Sequence, residues 1–462
     1  MNIKKGDDVV LDIMDLAFGG AGVAKLKGED GKDFVVFVEG VVPGDKIEAH
    51  IYRMKKQYAE GQLNRIITPS PKRTTPRCKH FGVCGGCSMQ FLNYEDQLEW
   101  KEKMVADSLR QIGGFANVDL MPIIGCASPW FYRNKMEYSF GECENKCAIG
   151  FHLHKKFDRV FDMEECFLES EISPKIAIRV KEWAREKRIA PFNAFKSLGI
   201  LKNLIVREGK NTGEILVNLV TNGKEFKDSK AFSQWIMKEF PQITSLYHTT
   251  VTVRKGHRTA VDETHLAGKK TLTEKLKVGE HTLEFEILPQ AFFQPNTIQA
   301  QILYGKILEF AQKANKSVIG EVLDLFCGTG TIGMFLAKMA NNVLGIEINE
   351  SAIENAEKNA KINGIANIKF FSGDISEFFA KEYKNRADLI VTDPPRAGIA
   401  PKSLSEILTF KTPTWIYVSC NPSTLARDLK IICENGYKID KIQPIDMYPH
   451  TYHVETVCLL KR

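Results

Sequence analysis

Two residues near the end of the chain have side chains that suit covalent catalysis. Cys420 follows an apolar run and precedes an Asn-Pro turn, in Ser-Cys-Asn-Pro at 419–422. A thiol at such a turn, near a helix start, is expected to be exposed and to have a lowered pKa. Glu455, in His-Val-Glu-Thr at 453–456, lies where the closing strands should begin and can act as a base. The alternatives are a buried structural cysteine and a surface carboxylate.

A glycine-rich turn at 328–333 indicates a site for a nucleoside cofactor. It follows an apolar run that ends at Phe326 and precedes a helix-forming segment, with Gly328 and Gly330 leaving the backbone bare for a ligand. A second apolar run ends in Glu347, nineteen residues after Gly328. A carboxylate at that place can accept hydrogen bonds from both hydroxyls of a ribose. We therefore expect a nucleoside to bind between this turn and Glu347.

The glycine spacing alone also suits a dinucleotide, and two details favour S-adenosylmethionine over a nicotinamide. Asp324 lies two residues inside the end of the first strand, where its carboxylate would repel a pyrophosphate but could meet the cationic methionine moiety. Asp393 begins an Asp-Pro-Pro turn after another apolar strand, as in nucleic-acid methyltransferases. Asp374 follows a further strand and is placed either to meet an adenine amino group or to cap the next helix.

A third group of residues has the spacing of a metal site. Cys78, Cys84 and Cys87 are separated by five and then two residues, with glycines between them that let three sulfurs fold around one centre. The chain offers four candidates for a further ligand: Cys126, Cys143, Cys147 and Cys166. By spacing alone, zinc and an iron–sulfur cluster compete, and zinc is the commoner occupant of a cysteine quartet.

The elements that position the cofactor motifs predict a doubly wound α/β domain. From Leu283 onward strands alternate with helices, and each motif lies at the carboxyl end of a strand, where such sheets bind ligands. Strands are predicted near 322–326, 343–347, 367–371, 388–392 and 415–419. Helices are predicted near 296–313, 331–340, 350–363 and 422–434.

The rest of the chain divides into two further predicted domains. Residues 1–67 contain short β-rich runs separated by glycine turns, which predict a five-strand OB-like barrel with RNA-binding capacity through a basic face such as 53–58. Residues 68–284 should form a central α+β domain that holds the cysteines, a helix from Tyr94 to Ile112 and a hairpin of 201–207 with 214–220. Its basic residues, including Arg133, Lys135, Arg207 and the run 254–258, are candidates for RNA contact, or else charged sheet edges. The third domain is 285–462.

Length and composition limit the number of domains, the possible partners and the location of the protein. A chain of 462 residues should hold two or three domains, and 44% hydrophobic with 26% charged residues is ordinary for a globular protein. A net charge of +6 permits nucleic-acid binding without requiring it. The sequence has no apolar run long enough to span a membrane and opens on polar residues, so we expect a cytoplasmic protein.

The motifs together are similar to one known family. The segments "GGAGVAK" and "FVEGVVPGD" resemble a TRAM domain. "CKHFGVCGGC", "LDLFCGTGT", "DPPRAG", "SCNP" and "HVET", in this order over essentially the whole chain, resemble the bacterial RNA uridine-C5 methyltransferases. The closest resemblance is to the iron–sulfur, TRAM-domain enzymes that act on 23S ribosomal RNA.

The resemblance implies a role for each motif residue. A [4Fe–4S] cluster would be held by Cys78, Cys84, Cys87 and Cys166. The methyl-donor site would include Gln294, Phe326, Gly328, Thr331, Glu347, Asp374 and Asp393. Thr331 departs from the family pattern, because some members carry Asn there. Cys420 would attack C6 of a uridine, and Glu455 would later remove the C5 proton.

Three other activities stay open at this point. The chain could be the corresponding transfer-RNA enzyme, an amino-methyltransferase that uses the Asp-Pro-Pro turn without a thiol, or an RNA-binding scaffold with a degenerate enzyme domain. The expected partner is RNA, as a single-stranded loop or a flipped uridine, with no membrane and no second copy of the chain.

Overall fold

The structure is a computed structural model that describes residues 3–462 except 28–32, 194–195, 197, 224–225, 254–258, 315–317 and 376–385. The basic run predicted at 254–258 therefore lies outside the described residues. No helix in the described part of the chain is long and apolar enough to cross a bilayer.

The N-terminal residues form one six-stranded sheet in the order β1-β5-β6-β4-β3-β2. Its strands are β1 (Asp8–Asp12), β2 (Asp15–Leu16), β3 (Gly22–Lys27), β4 (Asp33–Val38), β5 (Lys46–Met54) and β6 (Tyr58–Thr68). Alternate side chains of β5 point into one small core. The predicted all-β module is confirmed, but the prediction of five strands is wrong, because the sheet has six. The sequence did not reveal β2, since this strand has only two residues and no apolar run. Arg53 donates to Glu60 at 3.0 Å, which neutralises part of the predicted basic face.

The central residues form a second six-stranded sheet, in the order β14-β13-β12-β11-β7-β8. Its strands are β7 (Lys135–Cys143), β8 (Lys146–Gly150), β11 (Leu201–Glu208), β12 (Ile215–Asn222), β13 (Ile243–Thr252) and β14 (Ala260–Gly268), with β9 (His152–Leu153) and β10 (Lys156–Val160) paired beside it. The helices α2 (Ile172–Glu186) and α3 (Ser229–Glu239) share the apolar core of this sheet. Strands β11 and β12 are antiparallel neighbours, which confirms the predicted hairpin.

The last third of the chain forms a seven-stranded sheet in the order β19-β18-β17-β20-β21-β23-β22. Its strands are β17 (Ile319–Leu325), β18 (Ala340–Glu347), β19 (Ile368–Ser372), β20 (Leu389–Thr392), β21 (Thr414–Ser419), β22 (Lys438–Ile445) and β23 (Glu455–Lys461). Before it come the hairpin β15 (Leu272–Val278) and β16 (His281–Ile287) and helix α4 (Thr297–Ala314). The other helices are α5 (Thr331–Leu336), α6 (Glu350–Ile362), α7 (Pro401–Leu408) and α8 (Pro422–Glu434).

The doubly wound prediction is confirmed in its main features. The first five sheet strands in chain order are parallel, and β23 inserts antiparallel between β21 and β22. The helix predicted at 331–340 ends at Leu336, and α7 had no prediction. The insertion of β23 places the start of that strand beside the end of β21.

Helix α1 (Tyr94–Gln111), which the apolar stripe predicted, packs on the C-terminal sheet and α8. Lys101 on α1 donates to Asp446, just after β22, at 2.6 Å, and both side chains are fully buried. Tyr94 donates to the other oxygen of Asp446 at 2.8 Å, so both carboxylate oxygens have a partner. A charge pair in a dry interior is tolerated only with such complete hydrogen bonding.

Candidate active site

The glycine-rich turn has the backbone geometry that its sequence predicted. After β17, Phe326, Gly328 and Gly330 all have positive φ, at 64°, 53° and 73°. A Cβ on Gly330 would come within 2.6 Å of the Phe370 ring, whereas one on Gly328 would meet no atom within 4 Å. Gly330 is therefore required for packing as well as conformation, and Gly328 leaves open space over the backbone where a ligand can lie.

The residues predicted to bind the cofactor surround this turn. Glu347, at the end of β18, accepts from the N–H of Gly328 at 3.2 Å and of Asn349 at 3.0 Å. Asp374 is half-buried just beyond β19, and the backbone of Gly373 donates to the carbonyl of Glu347 at 2.9 Å. The structure thus brings the ends of β17, β18 and β19 together at one edge of the sheet.

Two predicted residues on other elements reach the same region. The Thr331 hydroxyl is buried at the start of α5, 3.4 Å from that of Thr329. Gln294 is buried in the segment before α4, and its side-chain carbonyl oxygen has no hydrogen-bond partner. An orphaned buried acceptor costs about 1–3 kcal/mol unless a ligand or water satisfies it. Gln294 is therefore placed to accept a hydrogen bond from a bound molecule.

Asp324 has a second orphaned acceptor beneath the turn. One carboxylate oxygen accepts from the N–H of Gly333 at 2.8 Å, and the other is buried without a partner. Burial, and then the nearby Asp393 and Glu347, raise the pKa of Asp324 to about 7. A cationic group of a cofactor would satisfy this oxygen and favour the ionised carboxylate.

The raised pKa of Asp324 predicts that the protein loses stability as pH rises. Because the folded carboxyl keeps its proton to about pH 7, above the ordinary value of 3.8, its contribution is fully present below pH 3.8 and is lost as pH rises through 7. One pKa unit corresponds to about 1.4 kcal/mol. Asp324→Asn should therefore show a smaller fall in Tm between about pH 5 and pH 8 than the parent protein, followed by circular dichroism. An unchanged pH dependence would contradict this assignment.

The crevice next to the turn contains Cys420, Glu455 and Asp393. Ser419 of β21 pairs with Thr456 of β23, so the next two residues, Cys420 and Glu455, lie opposite each other on one face. Asp393 follows β20, which is the other neighbour of β21. Cys420 and Asp393 are half-buried and Glu455 is buried. The fold thus presents a thiol between two carboxyl groups.

The electrostatics of the crevice correct the expected pKa of Cys420. Burial, followed by Glu455 and Asp393, raises the pKa of this thiol to about 12, and Arg396 opposes the shift. The prediction of a lowered pKa is therefore wrong for the chain by itself, because burial and then two carboxyl groups disfavour the thiolate. Burial also raises the pKa values of Glu455 and Asp393, which repel each other when both are ionised.

Loops from three strands are tied together around this thiol. The carbonyl of Arg396 accepts from Asn421 at 3.1 Å and from Thr424 at 3.3 Å, which joins the Asp-Pro-Pro loop to the start of α8. The Arg396 guanidinium lies 3.3 Å from the Nε2 atom of His453. The exposed guanidinium is therefore held over the same crevice.

Two tyrosines of the crevice had no sequence prediction. Burial and then Glu455 and Cys420 raise the pKa of Tyr448, and burial and then Asp393 and Asp324 raise that of Tyr304. Tyr448 lies seven residues before Glu455, and this closeness in sequence was the signal that could have indicated a place in the crevice. Tyr304 is a buried residue of α4 and has the pattern of an ordinary core residue.

The four cysteines of the predicted cluster line one cavity of about 220 Å³. The other lining residues are largely apolar, among them Phe81, Phe151 and Phe161. Burial raises the pKa of Cys84 and Cys87 to about 11 and of Cys166 to about 12. The N–H of Gly86 donates to the Cys84 sulfur at 3.3 Å. Within the described residues, no group of three or more His, Cys, Asp or Glu side chains is arranged to hold a metal ion.

Comparison with known proteins gives consistent matches. The profile of the tRNA (uracil-5-)-methyltransferase family matches residues 258–462, and that of the TRAM domain matches residues 4–63. An uncharacterised RNA methyltransferase of Halalkalibacterium halodurans is 38% identical, covering 99% of this chain and 98% of its own. One from Bacteroides thetaiotaomicron is also 38% identical, covering 96% and 100%.

A solved structure extends the match to the whole fold. The tRNA (uracil-54, C5)-methyltransferase of Pyrococcus abyssi, in complex with S-adenosyl-L-homocysteine, is 31% identical. It superposes with a TM-score of 0.76, covering 98% of this chain and 100% of that one. These matches span both ends of the chain, and we conclude that it belongs to the S-adenosylmethionine-dependent RNA (uracil-5-)-methyltransferase family.

Proposed function

We propose that the protein methylates C5 of a specific uridine in 23S ribosomal RNA through a transient bond between Cys420 and C6 of the base. The observation that supports this most directly is the placement of Cys420 opposite Glu455, with Asp393 on the neighbouring strand and the glycine-rich turn beside them. An amino-methyltransferase would have no use for a thiol at this position.

Cys420 supplies the activation that uracil needs. The sulfur attacks C6 after losing its proton, and the electron pair of the C5–C6 double bond moves onto C5 and O4 as an enolate. The C5 carbon can then take a methyl group, which a sulfonium donor supplies when bound. Because the Cys420 pKa is high in the chain alone, the thiolate must be stabilised by cationic groups such as Arg396 and the donor itself.

Glu455 completes the cycle as a base. It removes the proton from C5, the C5–C6 double bond forms again, and the sulfur leaves C6 as a thiolate. Its position directly opposite Cys420 places a carboxylate next to the base that the thiol holds. Asp393 and Arg396 would orient the polar edge of the uracil. Since a stacked base hides its faces, the uridine must come from a loop or be flipped out.

The methyl donor is assigned to the predicted residues around the turn. We assign Glu347 to the ribose, Asp374 to the adenine, and Phe326, Gly328 and Thr331 to the walls of the site. The unpartnered oxygens of Asp324 and Gln294 fit a donor with hydrogen-bonding and cationic groups. Asp393 would lie between the donor and the uracil.

The RNA target is the finer part of the proposal. The TRAM and cysteine motifs favour 23S ribosomal RNA, whereas the match to the Pyrococcus abyssi enzyme favours a transfer RNA. The test is to map 5-methyluridine by mass spectrometry in ribosomal and transfer RNA from cells with and without the protein. Loss from one 23S site supports the proposal. Loss of 5-methyluridine from transfer RNA alone would change the assigned target from ribosomal to transfer RNA. If 5-methyluridine is lost from neither RNA, the proposed function is refuted.

We also propose a [4Fe–4S] cluster in the cavity lined by Cys78, Cys84, Cys87 and Cys166. A single zinc ion needs four sulfurs about 2.3 Å from one point, and the thiols line a cavity instead of converging in that way. A cluster binds each cysteine through a different iron, which suits four thiols spread around a space. Of the four candidate fourth ligands, Cys126 instead donates to the Ser128 carbonyl at 3.1 Å.

Replacing Cys166 tests this assignment. Anaerobically purified protein should contain iron and sulfide in equal amounts, about four of each per chain. Cys166→Ser should lose most of both, because burial holds the remaining thiols in their neutral form without the cluster. Cys143→Ser, on the β7–β8 hairpin, is the matched control and should retain them. Stoichiometric zinc without sulfide in the parent protein would refute the cluster.

A further inference from the structure

A second cleft, lined by cations, lies beside the catalytic crevice. It has a volume of about 360 Å³, and its lining includes Lys135 and Arg207 of the central sheet, Arg133 just before β7, and Tyr448. Tyr448 also lies close enough to Glu455 and Cys420 for both to influence its phenol. Tyr448 therefore lines the cleft and also lies within electrostatic reach of the reaction crevice.

The two strand cations are placed against each other, and one exposed carboxylate, Glu137, lines the same cleft. Arg207 of β11 pairs in register with Lys135 of β7, and like charges directly opposite destabilise a sheet. In the described part of the chain, no carboxylate lies within ion-pair distance of Arg207. Lys135 has only the exposed Glu137, at 3.9 Å. This arrangement leaves positive charge unneutralised at the cleft.

Buried donors of the cleft lack partners as well. Arg207 is only 3% exposed, and its Nε atom has no hydrogen-bond partner, although its terminal nitrogen donates to the carbonyl of Ala291. The Nε atom of Arg133 is likewise buried and unpartnered. Burial lowers the pKa of Arg207 to about 10, and the charges of Glu169, Glu137 and Glu263 oppose this shift. Buried guanidinium donors of this kind are normally satisfied by a carboxylate or a phosphate.

We propose that Arg207 and Lys135 bind a backbone phosphate of the substrate RNA next to the target uridine. A phosphodiester presents two non-bridging oxygens that share one negative charge, and these can accept from one guanidinium and one ammonium on neighbouring strands. The placement rests on the proposed function, because it takes the crevice at Cys420 as the uridine site. The anion site itself depends only on the geometry of the cleft.

The cleft is also joined to the cofactor side of the site. The side chain of Asn134, which lies between Arg133 and Lys135 in the chain, donates to the main-chain carbonyl of Gln294 at 2.8 Å. Its backbone N–H donates to the Pro295 carbonyl at 2.8 Å. A phosphate held at Lys135 and Arg207 would therefore fix the nucleotide relative to the segment that carries Gln294.

The salt dependence of RNA binding tests the anion site independently of methylation. Binding of a uridine dodecamer, in the presence of S-adenosylhomocysteine, is measured by fluorescence anisotropy over a range of KCl concentrations. Arg207→Gln and Lys135→Gln should each reduce the slope of log K against log salt by about one. The double variant should lose no more than either single one, since both cations share one phosphate. Arg207→Lys should recover part of the slope.

The controls separate a local site from diffuse charge. Lys187→Gln removes an exposed cation at the end of α2 and should leave the slope unchanged. Retained affinity for S-adenosylhomocysteine shows that each variant is folded. Unchanged slopes in both cleft variants, or an equal loss in Lys187→Gln, would overturn the anion site.

The placement next to the uridine needs a second measurement. In an RNA fragment that contains the mapped uridine, one neighbouring phosphodiester at a time is replaced by an uncharged methylphosphonate. One such replacement should weaken binding to the parent protein about tenfold and leave binding to Arg207→Gln nearly unchanged. If no neighbouring linkage behaves in this way, the assigned position is wrong. If 5-methyluridine does not depend on the protein in cells but the salt slopes change as expected, the proposed reaction is refuted while the anion site is supported.

Discussion

Cys420→Ala is expected to abolish methylation of RNA, by about four orders of magnitude or more. Without the sulfur, C6 receives no nucleophile, and C5 of uracil is too weak a nucleophile to take the methyl group. The variant should still bind S-adenosylmethionine, since the donor residues lie on the other strands of the sheet. The measurement is transfer of labelled methyl groups to RNA, with donor binding followed separately by calorimetry.

A matched thiol and a modified RNA make this result specific. Cys433→Ala replaces a half-buried cysteine of α8 far from the crevice and should retain activity. RNA that contains 5-fluorouridine should form a stable adduct with the parent protein, because a fluorine at C5 cannot be removed as a proton. Cys420→Ala should form none. Full turnover by Cys420→Ala, or the absence of any adduct in the parent protein, would exclude the covalent mechanism.

Glu455→Gln is expected to stop the reaction one step later. The amide cannot take the C5 proton, so the methylated base should remain bonded to Cys420 and release should slow by about 10²–10⁴-fold. The adduct should appear as a protein band of reduced mobility that survives denaturing electrophoresis and disappears after nuclease digestion. The RNA trapped in that band should already carry the methyl group.

The same variant also tests the charge relation within the crevice. Because the Glu455 carboxylate contributes to the raised pKa of Cys420, Gln at this position should lower the pKa of the thiol. The rate of alkylation by iodoacetamide should then rise at a given pH. Glu455→Asp is the control, since it keeps a carboxyl group and should restore part of the turnover. Normal release by Glu455→Gln without an adduct would assign the base to another residue.

The sequence predicted the C-terminal fold well because its signals are local. Apolar runs that end in a glycine turn, an acid or an Asn-Pro turn define strand ends, and parallel strands bring those ends to one edge. Gly328, Glu347 and Cys420 could therefore be placed together without a structure. The antiparallel strand β23 differs, because it contributes its first residue, Glu455, to the same edge by running opposite to β21.

Features that depend on distant packing could not be predicted in this way. The pKa of Cys420 is raised by burial and then by two carboxyl groups from other strands, while the sequence shows only the neighbouring helix start. The buried ion pair of Lys101 and Asp446 joins residues that are far apart in the chain. From the sequence alone, a lysine on a helix is expected to reach solvent, so its burial could not be predicted. The cysteine spacing alone left four candidates for the fourth ligand, and only the cavity shows that Cys166 lies beside the other three thiols whereas Cys126 does not line it.

The packing of α1 on the C-terminal sheet has a consequence for protein synthesis. Trp100, Met104 and Val105 bury their side chains against residues that the ribosome adds only at the end of translation. Until β22 and β23 emerge, the part of this face that packs on the C-terminal sheet is uncovered and Lys101 lacks its counter-ion Asp446. The nascent chain must therefore keep an apolar helix available through most of its elongation, and the C-terminal third cannot be excised as an independent catalytic module without exposing its own core.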